Sequence, residues 1–259
     1  MDGGPVLLTR DGGIARLRFN RPQALNAIDS ATAVALRDAS ERLAQDRSVR
    51  VVVMSGAGKG FMAGGDLASM GADPAAIAGA IIDPLHAALK TLAALDAPVI
   101  AAVHGVVAGA GVSLMLAADL AIAADGTRFN LAYAAIGASC DGGASYALPR
   151  VVGLRKALEI ALLSDPFDAA EALRLGLVNR VVPAAALDGE TEALAQRLAA
   201  GPTLAYGRMR RLMRRSFDSD LASQLDAEKE AFAGSAATND FAEGVQAFFD
   251  KRPARFQGS

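Results

Sequence analysis

One cysteine and two histidines in 259 residues leave this chain nearly without thiol or imidazole groups. A single thiol rules out an internal disulfide and suits a reducing compartment, so a cytoplasmic protein is expected. With so few nitrogen and sulfur donors, no protein-built metal site is expected. Surplus charge is missing too. The net charge is -2, which gives no general attraction to nucleic acid or acidic lipid. The opening residues, MDGGPVLLTRDGG, lack the basic region and apolar run of a signal peptide. There is no low-complexity segment and no long linker. Residues 99–118 carry no Asp, Glu, Lys or Arg, and their length matches a bilayer. However, Gly105, Gly109 and Gly111 interrupt them, and no aromatic belt flanks them. A buried strand–turn–helix is expected there, with no membrane partner.

What remains is a chain that is 52% hydrophobic, enough for one large core or two small ones. Residues 14–19 alternate apolar and charged, as a half-buried strand does. Residues 30–44 have helical spacing, with Asp29 or Ser30 as N-cap. Residues 49–54 and 98–103 read as buried strands, each followed by a glycine turn. Residues 84–95 read as a helix with His86 in its first turn, and 112–118 as another. Short strands are expected at 121–123 and 128–131. Two strand–glycine turn–helix units, 49–66 and 98–118, imply a stacked α/β body whose turns present backbone to one pocket. From about residue 187 four helical patterns follow, at 190–199, 203–216, 221–233 and 240–251.

The glycine turns admit several chemistries. GAGKG lacks the phosphate-loop spacing, because Val53 and Gly60 stand where that motif needs Gly and Ser or Thr. AGAGVSL has Leu114 where the dinucleotide fingerprint needs Gly or Ala. Both turns can simply pack tightly on their helices. Alternatively, their N–H groups face a developing oxyanion. GASYA at 143–147 approaches a nucleophile elbow, yet His86 and His104 both precede it, against a serine hydrolase. Ser113 reads as a small polar packing residue. The arginine-rich stretch 207–217 places Met209, Leu212, Met213 and Phe217 on one face, leaving the arginines to solvent. In GASCDGGASYALPR, at 137–150, Asp141 sits alone among small residues that suit neither strand nor helix cap.

Several stretches together resemble the crotonase superfamily, the enoyl-CoA hydratase/isomerase family, over essentially the whole chain. They are RPQALNAI (21–28), SGAGKGFMAGGDL (55–67), PVIAAVHGVVAGAGVSLMLAADLAIAA (98–124) and FNLAYAAIGASCDGGASYALPRVVG (129–153). FDAAEALRLGLVNRVV (167–182) and DFAEGVQAFFDKRPARF (240–256) extend the match. The resemblance implies an α/β fold, a spiral of ββα units, with an α-helical C-terminal region. It divides the chain into a core at 1–187 and a helical region at 188–259 that joins subunits into trimers or pairs of trimers. It implies an acyl-coenzyme A thioester as partner, with no separate cofactor, and the thioester oxygen held by the N–H groups of Gly65 and Ala110. By the same carry-over Gln23, Ala24, Leu25, Lys59, Ala63, Asp66, Leu67 and Gly109 lie along the coenzyme arm. Phe248 and Lys251 close over its adenine and phosphates, from a neighbouring subunit in one arrangement. Asp66 also reads as a cap on the helix after it, and Asp119 as structural.

The chain departs from the family's hydratases at both of their glutamate positions, where it has Ser113 and Tyr133. Hydration needs a base on water and an acid at Cα, and neither position supplies a carboxylate. Asp141 remains, at a loop position where isomerases of the family carry an aspartate in a D-x-G-G loop. A 1,3-proton shift needs one base, so double-bond isomerisation is the expected activity. Alternatives stay open: hydration by another arrangement, a nucleophilic Asp141 paired with His86 as in 4-chlorobenzoyl-CoA dehalogenase-like members, or a coenzyme A-binding scaffold without turnover. Asp141 and His86 also have plain readings, as a turn residue and a partly buried helix residue.

Overall fold

Strand β1 (Val6–Asp11) turns back antiparallel onto β2 (Ile14–Phe19) in the computed structural model, which describes residues 3–71 and 73–259. Parallel to β2 run β3 (Val51–Gly56), β4 (Val99–Val103), β6 (Leu120–Ala124) and β9 (Arg180–Val182), completing a six-stranded sheet in the order β1-β2-β3-β4-β6-β9. A smaller sheet joins β5 (Val106–Ala108) to β7 (Arg128–Asn130) and β8 (Phe167–Asp168). The alternation in β2 has the expected effect: Ala15, Leu17 and Phe19 enter the main core, while Arg16 and Arg18 face the other way. β3 lacks alternation because both of its faces are covered. Val52 and Met54 join the main core, and Val51 and Val53 pack with Ala195.

Helices α1 (Ser30–Gln45) and α2 (Pro74–Ala94) pack together over one sheet face. Asp29 caps α1 by accepting the Thr32 N–H at 2.8 Å. α2 is longer than the expected 84–95. Pro84 lies inside it instead of starting it, because Ile81, Leu85, Ala88 and Leu92 carry a continuous apolar stripe into the core. His86 is therefore mid-helix. Residues 75–94 are apolar and long enough to span a membrane by composition alone, but here the helix covers the sheet. α3 (Ala110–Ala117) follows β5, so the uncharged run 99–118 folds as strand, turn, strand and helix.

Residues 137–150, expected to be open, start α4 (Ala144–Val152), with Ala144 and Leu148 buried. Its N-cap Gly143 offers no side-chain cap, which is why no start signal is visible. α5 (Leu154–Leu163) and α6 (Ala169–Arg174) follow. α7 (Leu187–Ala199) covers the far sheet face, and α8 (Thr203–Arg215), α9 (Leu221–Ala236) and α10 (Asn239–Phe249) form a helical region. On α8 the expected facing holds for exposed Arg211 and Arg215 and half-buried Leu212, and fails elsewhere. Met209, Met213 and Phe217 beyond its end are exposed, whereas Arg210 is buried. The physical reason is a set of acceptors under α8: Arg210 pairs with Asp119 at 2.7 Å and donates to the carbonyls of Leu92, Leu95 and Ala97.

Asn26, 1% exposed, ties the loops nearest the site together. Its amide donates to Ala57 O and Gly60 O, each at 2.9 Å, and to Phe61 O at 3.2 Å, while its Oδ1 accepts the Arg21 N–H at 2.8 Å. Asn26→Ala strands these buried groups and is expected to cost about 1–3 kcal/mol, read as a lower urea midpoint.

Candidate active site

Two turns meet where β3 and β5 end. The segment after Leu25 runs beside the segment after Ala63: Ala63 N–H donates to Leu25 O at 3.0 Å, Ile28 N–H to Gly64 O at 2.8 Å, and Asp66 N–H to Ile28 O at 2.8 Å. On the other side Ala108 N–H donates to Met62 O at 2.9 Å. These ladders consume the neighbouring amides. The N–H groups of Gly65 and Ala110 have no acceptor among the described residues. Gly109, with φ of 51° and ψ of -120°, makes the bend that turns Ala110 into the first residue of α3. A Cβ on Gly111 would stand 2.4 Å from Met62 O, so α3 approaches the first turn closely only through glycine. Two unpaired donors, one at a helix start, suit an oxygen that gains negative charge.

Asp141 reaches this pair of turns through α3. Ser113, one helical turn after Ala110, donates from Oγ to the main-chain O of Asp141 at 2.9 Å. The Tyr133 hydroxyl donates to Asp141 Oδ1 and lies 3.2 Å from Ser113 Oγ. Burial, then the hydrogen bond to Asp141 and its charge, push the Tyr133 phenol above the ordinary range, so it is a neutral donor at physiological pH. His86 Nε2 accepts the Gly142 N–H at 3.3 Å. Thus the structure brings Ser113, Tyr133, Asp141 and His86 into one cluster.

The residues expected along the coenzyme arm fall mostly on two adjoining loops, 22–25 and 58–67. Pro22–Ala24 forms a 3-10 turn, and a Cβ on Gly58 would lie 2.6 Å from Pro22 Cβ, so Gln23 and Lys59 sit on adjoining loops. Gln23, Lys59 and Leu67 are exposed, and Ala24, Leu25 and Ala63 are half-buried. Asp66 is not the side-chain cap expected for the 3-10 turn Leu67–Ser69; only its main-chain O is used there. Its carboxylate instead accepts Arg21 Nη2 at 2.9 Å, with Asp29 3.1 Å from the same nitrogen. This clamp beside Gly65 carried no motif of its own. The Met70 side chain also reaches this turn, with its Cε 3.9 Å from where a Cβ on Gly65 would stand. Phe248 lies in the last turn of α10 and Lys251 just beyond its C-cap, and no hydrogen bond joins them to this cluster among the described residues. Phe248 is exposed beside Phe249.

A parallel sheet crossed by glycine turns, a second small sheet and a C-terminal helical region make up the crotonase fold. The crystal structure of enoyl-CoA hydratase from Mycobacterium smegmatis matches it with a TM-score of 0.92 and 36% identity, over 98% of this chain and 99% of that one. Residues 9–259 match the family Enoyl-CoA hydratase/isomerase, and the chain belongs to that family of enzymes. It is similar to the 1,2-epoxyphenylacetyl-CoA isomerase of Escherichia coli K12, 34% identical over 98% of both chains. It is also similar to a probable enoyl-CoA hydratase of Rhodobacter capsulatus, 34% identical over 95% of both. A trans-2-decenoyl-[acyl-carrier-protein] isomerase of Streptococcus mutans is 31% identical over the full length of both.

Proposed function

We propose that this enzyme moves a carbon–carbon double bond within an acyl-coenzyme A thioester. Gly65 and Ala110 N–H groups hold the thioester oxygen. Asp141 takes a proton from one carbon, and the electron pair passes into an enolate on that oxygen. The same carboxyl then returns the proton to a second carbon, so the product is an isomer and nothing is added. The observation that carries this reading is that Asp141 supplies the carboxylate of the Ser113–Tyr133–Asp141–His86 cluster, whereas Asp66, on the first turn, is paired with Arg21. Ser113 and Tyr133, which flank Asp141, are hydroxyls, and Ser113 is bonded to the main chain while Tyr133 is bonded to Asp141 itself. Adding water needs one group to activate it and another to protonate carbon, and among the described residues no second carboxylate is bonded into the cluster. His86 Nε2 is engaged with Gly142 N–H, which disfavours a histidine-activated water.

The coenzyme would lie along the Gln23–Leu25 and Lys59–Leu67 loops. Exposed Met209, Met213, Phe217, Phe232, Phe241, Phe248 and Phe249 support assembly through the helical region, as a homotrimer or a pair of trimers. In that assembly Phe248 and Lys251 close over a neighbour's coenzyme.

Product analysis tests the reading. Incubation with 3-enoyl-CoA is expected to yield 2-enoyl-CoA, and 2-enoyl-CoA is expected to yield little 3-hydroxyacyl-CoA. Efficient hydration of 2-enoyl-CoA would overturn isomerisation as the main activity. Halide release from a halobenzoyl-CoA would favour the nucleophilic mechanism.

A further inference from the structure

The loop bearing Asp141 is held at three independent points, and they do different things. Ser113 grips the main-chain oxygen of Asp141 at 2.9 Å. His86 grips the next amide, Gly142, at 3.3 Å. Both would persist with any side chain at position 141. Gly142 itself has φ of +58°, and a Cβ there would meet Ser113 Cβ at 2.9 Å, so the loop lies directly on α3. Only Tyr133 touches the carboxylate, and it touches Oδ1 alone. No hydrogen bond or ion pair reaches Oδ2 among the described residues. The two oxygens of the acid are therefore not equivalent.

Resting on the isomerase reading above, we propose that Tyr133 is a positioning residue that selects Oδ2 of Asp141 as the oxygen that carries the substrate proton. The proton count supports it. Ser113 spends its one hydroxyl proton on the Asp141 carbonyl, and Tyr133 spends its own on Oδ1. With Asp141 ionised, Tyr133 stabilises the charge and fixes the plane of the carboxylate. When the C–H bond breaks, the proton goes to Oδ2 and the electron pair into the enolate. Oδ1 is still an acceptor, so the Tyr133 bond survives and the acid does not rotate. The proton then leaves Oδ2 for the second carbon, and the original state returns. No co-reactant is needed.

Tyr133→Phe removes the donor and keeps the ring. The expected result is a roughly tenfold fall in kcat for 3-enoyl-CoA isomerisation with KM changed less than about twofold. The acid limb of the kcat/KM profile should move up by about one pH unit, because a bond that favours the charged acid is lost. Ser113→Ala should leave that limb in place, since its proton serves the main chain. An unmoved limb in folded Tyr133→Phe, or an equal displacement in Ser113→Ala, overturns the inference. If Tyr133→Phe does not fold, 3-fluorotyrosine at position 133 replaces it. Its more acidic hydroxyl should move the limb down, and an unmoved limb again overturns the inference. Asp141→Asn separates the two readings. Activity surviving that change overturns Asp141 as the proton carrier, whereas an inactive Asp141→Asn with an unaltered Tyr133→Phe profile overturns the role of Tyr133 alone.

Discussion

Asp141→Asn is expected to lower kcat for double-bond isomerisation by about 10²–10⁴-fold, the range that a positioned acid–base group contributes. The substitution is nearly isosteric, and the amide oxygen can still accept the Tyr133 hydroxyl. The loop keeps its other two ties, because Ser113 and His86 bind main-chain atoms of residues 141 and 142. The proposed grip on the thioester oxygen is main-chain as well, so KM should change little. Steady-state rates with 3-enoyl-CoA, alongside a thermal melt that overlays the wild type, check this. A second signature should accompany the loss. Burial still holds the Tyr133 phenol high, but without the charge of Asp141 its ionisation moves to lower pH, visible in an ultraviolet titration. A variant with full activity, or one that fails to fold, would contradict the account.

Arg210→Ala should be the most damaging change outside the site, costing about 3–5 kcal/mol. Arg210 is only 9% exposed. Its guanidinium pairs with Asp119 Oδ2 at 2.7 Å, and donates to Ala97 O at 3.0 Å, Leu92 O at 3.2 Å and Leu95 O. Asp119 in turn accepts the Val99 N–H at 2.8 Å, at the first residue of β4, and pairs with Arg214 at 2.8 Å. One side chain thus joins α8 to the end of α2 and the start of β4. Truncation leaves three carbonyls without this donor and a half-buried carboxylate with one cation fewer. Arg210→Lys restores charge but not the planar fork, and should recover only part of the loss. Urea unfolding of both variants checks the order: wild type, then lysine, then alanine.

Residues whose neighbours in sequence decide their structure were legible. β2 follows from its alternation, α1 from its stripe and Asp29 cap, and β3 and β4 from β-branched runs closed by glycine. What failed needed distant partners. α4 starts on a glycine without a capping side chain, and only burial of Ala144 and Leu148 reveals it. The facing of α8 departs from its pattern at Arg210, since a buried arginine is intelligible only when the acceptors at residues 92–97 and 119 are in place. Asp66 looked like a local cap but pairs with Arg21, 45 residues earlier. At the site, glycine turns and an isolated acid were visible as motifs. The hydroxyl of Tyr133 on that acid was not, because it depends on how two loops cross α3.

The unpaired amides of Gly65 and Ala110 have a consequence for how such a protein changes over generations. A grip made of main-chain N–H groups belongs to the backbone path, and among single replacements of these two residues only proline deletes a donor outright. Asp141, Tyr133 and Ser113 are side chains, each replaceable by one substitution. Half of the site is therefore inherited with the fold, and half can be rewritten residue by residue. On the proposed reading, a lineage built this way can exchange one reaction for another while keeping both donors for the substrate oxygen.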